Sequence, residues 1–343
     1  MTYLEQDLNV LADYLLEKKF NNKTILVTGA TGLIGSLAVK AMLKANDKHC
    51  LDISVIALAR SESKAKNVFK EQFNNKNLKF VYQDIVEPIL VNEGVNFIIH
   101  TANSTVSKYF ITNPVETMDS IYTGSRNILE FAKAKGVQGL VYLSSMEVFG
   151  STDPSKEIIE EKDLGYVDLA SVRSCYPEGK RLVENMCKCY QEEYGVPVKI
   201  ARLSQTFGAG ISKEENRVFA QFARSAINKT DIVLHTKGDS VGNYCYTADA
   251  LKAIFLLLVD GIDGEAYTVV NESTATTIAD MAKMVAKELA NNEIKVVFDI
   301  PEGNTFGYAA KTTMRLSSKK LQSLGWKPTI DLKEMYLRML ESL

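Results

Sequence analysis

Thr24-Ile25-Leu26-Val27-Thr28-Gly29-Ala30-Thr31-Gly32-Leu33-Ile34-Gly35 is the stretch that decides the fold of this 343-residue chain. A β-rich run enters a glycine-rich turn, and an apolar helical pattern follows to about Leu43. Strand, Gly-x-x-Gly-x-x-Gly and helix, in that order, form the context in which such glycines cradle a dinucleotide. Gly29 permits the tight turn, Gly32 lets backbone N–H groups approach a pyrophosphate, and Gly35 lets helix and strand pack closely. The opening of the helix, Thr31 to Ile34 through Leu33, offers its partial positive charge to the phosphates.

Outward from this motif, strands alternate with helical segments: Ile53–Ala59, Leu78–Tyr82, Phe97–His100, Leu140–Ser144 and Val198–Arg202. That alternation predicts an α/β fold, a Rossmann-like doubly wound parallel sheet over residues 23–203. Residues 1–22 form an N-terminal helical extension, with Leu4, Leu8, Leu11 and Leu15 at helical spacing, and are expected to dock on the outer face of the domain. Past residue 203 the pattern shortens: Ile232–His235, Ala266–Val270 and Ile294–Phe298 surround a helix over Ile278–Leu289. Residues 204–343 therefore read mainly as a smaller C-terminal α/β substrate lobe over the carboxyl ends of the strands, with 240–260 returning to the first domain.

Bulk properties suit a cytoplasmic enzyme. The hydrophobic fraction of 46% is ample for a core, and a net charge of −2 gives no electrostatic case for nucleic acid or an anionic membrane. No apolar run approaches the roughly 20 residues of a membrane span, and the acidic, mixed N-terminus does not read as a signal peptide. Five cysteines without a disulfide spacing read as reduced thiols, and three scattered histidines (49, 100 and 235) form no metal constellation.

The candidate chemistry lies at Tyr176-Pro177-Glu178-Gly179-Lys180, roughly 30 residues after Ser145. Residues i and i+4 share a helix face, so a phenol and an ammonium are paired. An adjacent Lys⁺ favours the phenolate, which suits Tyr176 to exchange a proton with a hydroxyl while a hydride leaves its carbon. Ser145, ending an apolar strand, can hydrogen-bond the same oxygen.

Taken together, these motifs resemble the extended short-chain dehydrogenase/reductase family, the sugar-nucleotide epimerases and dehydratases. The resemblance covers nearly the whole chain. It includes the glycine motif, Asp84-Ile85, Ile98-Ile99-His100-Thr101-Ala102, Ser144–Gly150, the Tyr176/Lys180 pair, Arg202-Leu203-Ser204-Gln205-Thr206-Phe207-Gly208 and Leu324-Gly325-Trp326-Lys327-Pro328. Cys175–Glu184 looks most like the UDP-glucuronate decarboxylase and dTDP-glucose dehydratase branch.

The resemblance implies an NAD(P) cofactor held also by Asp84, Ile85, Thr101, Ala102, Asn103, Tyr176 and Lys180, a nucleotide-sugar substrate, and a homodimer formed through paired helices. On that last point, Leu182, Val183, Met186 and Tyr190 on one helix, and Ile128, Leu129 and Phe131 on another, read as surplus apolar surface. It further implies catalytic roles for Ser145, Glu147, Tyr176 and Lys180. Met146 stands where dehydratases carry an Asp, and a thioether cannot donate that proton. Gly242 replaces an anion-binding Arg, Gln205 a phosphate-binding Asn, and Ile121 an Asn that supports the Lys. These departures leave the substrate open; Gln205 and Arg217 are the substrate-binding candidates, with Lys213 beside them. At the end of the second strand Arg60 stands where NAD sites carry an acid, which favours NADP over NAD.

The reading is an epimerase/dehydratase-type enzyme that oxidises a nucleotide sugar transiently. A net NADPH-dependent keto-sugar or carbonyl reductase is the alternative, favoured by Arg60. A dinucleotide-binding sensor is a third, against which the intact Ser145/Tyr176/Lys180 set argues.

Overall fold

The computed structural model describes residues 1–103, 105, 107–301 and 312–343. Its centre is a sheet of seven strands: β1 (Thr24–Thr28), β2 (Ser54–Ala59), β3 (Leu78–Tyr82), β4 (Phe97–His100), β5 (Gly139–Ser145), β6 (Val198–Leu203) and β7 (Ala266–Val269). Their order is β7-β6-β5-β4-β1-β2-β3 and every pairing is parallel. Each strand of a parallel sheet is covered on both faces, so β1, β4 and β5 read as near-continuous buried runs.

Successive residues point to opposite faces. Ile25, Val27, Ile99 and Val141 pack on one side with the helices Leu33–His49 and Thr247–Asp260. Leu26, Ile98, Leu140 and Tyr142 pack on the other with the helices Pro114–Lys135 and Cys175–Tyr194. The strand order reverses between β1 and β4, and the crevice at their carboxyl ends is where ligands bind in such sheets.

One expected element lies elsewhere. The pattern of Ala266–Val270 predicts a strand of the smaller lobe, but Ala266–Val269 is β7 and extends the main sheet beside β6. Thr247–Asp260 is the crossover helix that carries the chain back to it. Three buried residues in a run of four specify a strand but not which sheet it joins, so only the crossover settles the matter.

The N-terminal helix spans Tyr3–Glu17, closed by a capping box between Thr2 and Glu5. It packs on the Leu33–His49 and Thr247–Asp260 helices through Leu8, Leu11 and Leu15. Asp7 is buried there, accepting from the Tyr246 hydroxyl and from Arg338 Nη1 at 2.8 Å, and burial raises its pKa. The C-terminal Leu324–Pro328 motif is architectural: Trp326 Nε1 donates to the Asp249 carbonyl at 2.9 Å, while Thr329 N and Oγ1 donate to its carboxylate at 2.8 and 2.9 Å.

Beyond the main sheet, Val241–Tyr246 lies between Gln205–Phe207 and Asn271–Thr277 in a three-stranded sheet. Val296–Phe298 pairs with Ile232–Leu234, and Arg315–Leu316 with Ile158–Ile159. The helices Val218–Asn228 and Ile278–Met284 complete these elements. Among the described residues no helix is long and apolar enough to cross a membrane, and none of the five cysteines is disulfide-bonded.

Candidate active site

The glycine turn follows β1 directly. Gly29 has φ +61°, and a Cβ there would lie 2.7 Å from Thr101 Oγ1 and 2.9 Å from the Ala102 backbone. A Cβ on Gly35 would lie 2.5 Å from the Gly29 carbonyl oxygen, so the Leu33–His49 helix touches the turn backbone to backbone. That helix begins at Gly32 with no side-chain cap, in contrast to the Tyr3–Glu17 helix, which leaves its first N–H groups available to an anion. Thr31, Leu33 and Ile34 are half-buried at this opening. Thr101 Oγ1 donates to the Thr28 carbonyl at 2.7 Å, and the Thr28 hydroxyl accepts from the N–H groups of Thr101 and Ala102, tying the ends of β1 and β4 together. Both amide atoms of Asn103 are buried with no partner among the described residues. A narrow all-glycine approach, an uncapped helix start and an orphaned amide at the switch point together fit a dinucleotide.

At the far end of β2 and β3, Arg60 lies 3.9 Å from Asp84, and both side chains are largely open to solvent. Asp84 Oδ1 also accepts from Val86 N at 3.3 Å, while Ile85 is buried against Gly124.

The second half of the site sits where β5 ends. The Tyr176 ring is buried and stacks on Phe110, with centroids 4.2 Å apart and planes 11° from parallel. Burial lifts its phenol above the ordinary range and the Glu147 charge adds to this; a hydrogen bond with Ser145 and the charges of Arg173 and Arg217 pull it down. Lys180 is buried beneath, donating to the Leu143 carbonyl at 2.8 Å, with Nζ 4.7 Å from the centroid of the Tyr142 ring and 5.8 Å from that of Tyr176. Burial pulls its pKa down to about 7, opposed by Glu184 and Cys187. Lys180 Nζ is thus turned to a β5 carbonyl while lying below the Tyr176 ring, and Arg173 and Arg217 add their charges in lowering the phenol.

Glu147 stands in the turn after Ser145, where Arg173 grips it in a two-pronged pair, Nη1 to Oε2 at 2.7 Å and Nη2 to Oε1 at 2.9 Å. Arg217 is held likewise by Glu215, at 3.0 and 2.7 Å. Gln205 lies half-buried on a short strand, in register with Tyr244. A Cβ at Gly242 would lie 2.2 Å from the Tyr244 hydroxyl, so that ring occupies the space where a longer side chain would start. Ile121 is buried against Gly179, inside the Tyr176–Lys180 turn. Behind the site, Arg202 pairs with Glu184 through three hydrogen bonds of 2.7 to 3.1 Å, and Ser144 donates to the same carboxylate at 2.5 Å.

The structure thus brings Ser145, Glu147, Tyr176, Lys180 and Arg217 into one neighbourhood. Arg173 and Phe110 are the residues that sequence reasoning missed. Arg173 precedes Tyr176 by three positions and is the cation paired with Glu147; Phe110 is the buried residue of the short helix Ser107–Thr112, and no spacing relates it to Tyr176.

The sheet order and the glycine turn define a doubly wound dinucleotide-binding fold. Residues 25–271 match the model of the NAD dependent epimerase/dehydratase family, and the chain belongs to that family. It is 28% identical over 316 residues to UDP-glucuronic acid decarboxylase 5 of Arabidopsis thaliana, covering 92% of this chain and 87% of that one. Among solved structures it resembles UDP-glucose 4-epimerase of Thermotoga maritima, with a TM-score of 0.78, 21% identity, and coverage of 93% and 98% of the two chains. It also resembles dTDP-glucose 4,6-dehydratase of Bacillus anthracis in complex with NAD, with a TM-score of 0.75, 20% identity, and coverage of 93% and 96%.

Proposed function

We propose that this chain oxidises a nucleotide sugar transiently at Ser145, Tyr176 and Lys180, and that the product is an epimerised, dehydrated or decarboxylated sugar nucleotide. The observation that carries this reading is the buried Tyr176 ring at the end of β5, stacked on Phe110, with Lys180 Nζ 5.8 Å from its centroid and bonded to the Leu143 carbonyl. Gly29, Thr31, Gly32, Leu33, Ile34, Gly35, Thr101, Ala102 and Asn103 would hold NAD(P), with Asp84, Ile85 and Arg60 at its adenosine end. NAD(P) held there would supply a reversible hydride acceptor for the sugar carbon. Tyr176 takes the proton of the hydroxyl on that carbon, and Ser145 orients the same oxygen. Glu147 stands ready to act on a neighbouring carbon or substituent, while Gln205 and Arg217 meet the anionic nucleotide.

Net reduction of a keto-sugar by NADPH is the second reading, supported by Arg60 at the open end of β2. The names of the relatives support UDP- or dTDP-sugars as substrates. The unpaired cysteines support a reducing, cytoplasmic setting.

A homodimer is part of the proposal, on the same two helices as the sequence reading but through other residues except Leu182. Ile128, Leu129, Phe131, Val183 and Tyr190 are buried in the core of their own chain, because the Pro114–Lys135 and Cys175–Tyr194 helices pack on each other and on the sheet. The exposed apolar stripe is instead Val115, Met118 and Tyr122, with Leu182 on the adjacent helix.

The test is to incubate the purified protein with a panel of UDP- and dTDP-sugars, with and without NADPH, and follow the sugar signals by NMR. New sugar nucleotides formed without NADPH support transient oxidation, products formed only with NADPH support net reduction, and an unchanged panel contradicts both.

A further inference from the structure

Three observations converge on a residue to which neither the motifs nor the relatives' names assign a role. Arg173 sits on the 3-10 turn Val172–Ser174, which leads into the helix carrying Tyr176. Its guanidinium holds Glu147 by two charge-assisted bonds and lies 5.8 Å from the centroid of the Phe110 ring. That ring in turn stacks on Tyr176. Arginine, aromatic ring and reacting phenol form one layered column, with the carboxylate clamped to its outer end. The pair is only about one-third exposed, so water screens it weakly.

We propose that Arg173 is a positioning residue of this active site: it fixes Glu147 as an oriented carboxylate and offsets that negative charge beside the Tyr176 hydroxyl. The inference rests on the proposed role of Tyr176 as the proton acceptor. The groups facing Tyr176 are Ser145 from β5, Glu147 from the following turn, Arg173 from its own approach, Arg217 from the loop before the Val218–Asn228 helix, and Lys180 from beneath. Of these, Glu147 alone opposes the phenolate. An enzyme that needs a carboxylate at this place and a phenolate beside it faces a like-charge conflict, which the bidentate arginine relieves without removing either group. Lys180 is directed at the Leu143 carbonyl, and Arg217 is already matched by Glu215, which leaves Arg173 as the counter-charge bound to Glu147 itself.

The consequence is a pair of opposite effects. Removing Arg173 leaves the Glu147 charge unmatched and should move Tyr176 ionisation to higher pH; removing the Glu147 charge should move it to lower pH. Each shift is on the order of one pH unit for partly screened charges at this range.

The experiment uses the full chain labelled with 13Cζ-tyrosine, with the Tyr176 signal assigned by its loss in Tyr176→Phe. The pH at which its phenolate signal begins to appear is compared in wild type, Glu147→Gln, Arg173→Gln, Arg173→Lys and the Glu147→Gln/Arg173→Gln double variant. The expected order places Glu147→Gln lowest and Arg173→Gln highest, still without phenolate where the fold is lost. Arg173→Lys and the double variant should lie close to wild type. Shifts of the same sign in the two single Gln variants, or an onset that neither changes, would overturn the proposal. A parallel arm measures reduction of added NAD, using UDP-glucuronate, UDP-glucose and dTDP-glucose as probes. If no probe reduces NAD while the opposite NMR shifts persist, the reading of function fails and the assignment of Arg173 stands.

Discussion

Lys180→Met should make the fold more stable while destroying the activity. The lysine is buried under Tyr176 and its pKa is pulled down to about 7, chiefly by burial. In the unfolded chain it would ionise near the ordinary value of 10.5. Between those two values the unfolded chain holds a proton that the folded one has released, so stability rises with pH from about 7 to 10.5 and is lowest below that window. The penalty at pH 7 comes to about 4 kcal/mol. Methionine removes it and is shorter by one atom, at the expense of the hydrogen bond to the Leu143 carbonyl, about 1 kcal/mol. Glu184 is not orphaned by the change, because Arg202 already grips it. The net gain should be about 2–3 kcal/mol, or about 3–4 °C in Tm for a chain of this size. Calorimetric melting of wild type and Lys180→Met without cofactor, from pH 6 to about 9.5, gives the test. The difference should be largest at the acidic end and shrink as pH rises. A variant that melts below wild type at pH 6–7, or a difference that does not change with pH, would refute the reasoning.

Three further outcomes are expected. Gly35→Ala puts a methyl group 2.5 Å from the Gly29 carbonyl oxygen, both of them on backbone that cannot rotate away; NAD affinity by calorimetric titration should fall at least tenfold, and an unchanged Kd would show that the turn does not carry the cofactor. Arg60→Asp should weaken NADP far more than NAD, since a carboxylate repels a 2′-phosphate and accepts from a 2′-hydroxyl; equal losses would mean that Arg60 does not read that position. At micromolar concentration light scattering should return twice the 38.1 kDa chain mass, and Val115→Glu/Leu182→Glu should return the single mass; a wild-type monomer contradicts the dimer.

How far the sequence carried this account depended on the range of the interactions. Six of the seven parallel strands and the glycine turn are legible because their signal is local: continuous β-branched runs, glycines at fixed spacing and an apolar helix directly after. The N-terminal extension is legible for the same reason, from four leucines at helical spacing. Ala266–Val269 is a strand by composition, but its place beside Val198–Leu203 depends on a crossover that no local pattern encodes. The site divides along the same line. Tyr176, Lys180 and Ser145 follow from spacing and from the resemblance. The Arg173–Glu147 pair joins residues 26 positions apart, and Phe110 reaches Tyr176 from a segment 66 positions away. Ile128, Leu129 and Phe131 misled because helical periodicity shows that a face is apolar without showing whether a neighbouring helix of the same chain covers it.

The central claim is that Tyr176 exchanges a proton with a sugar hydroxyl while hydride moves to a bound nicotinamide. The most direct measurement is a single turnover: enzyme in excess, saturated with NAD, mixed with each of UDP-glucuronate, UDP-glucose and dTDP-glucose, and followed at about 340 nm for nicotinamide reduction. At least one sugar nucleotide should give reduction with wild type. Tyr176→Phe should bind NAD with an affinity close to wild type and lose the rate by several orders of magnitude. Reduction that proceeds at the wild-type rate in Tyr176→Phe would contradict the account.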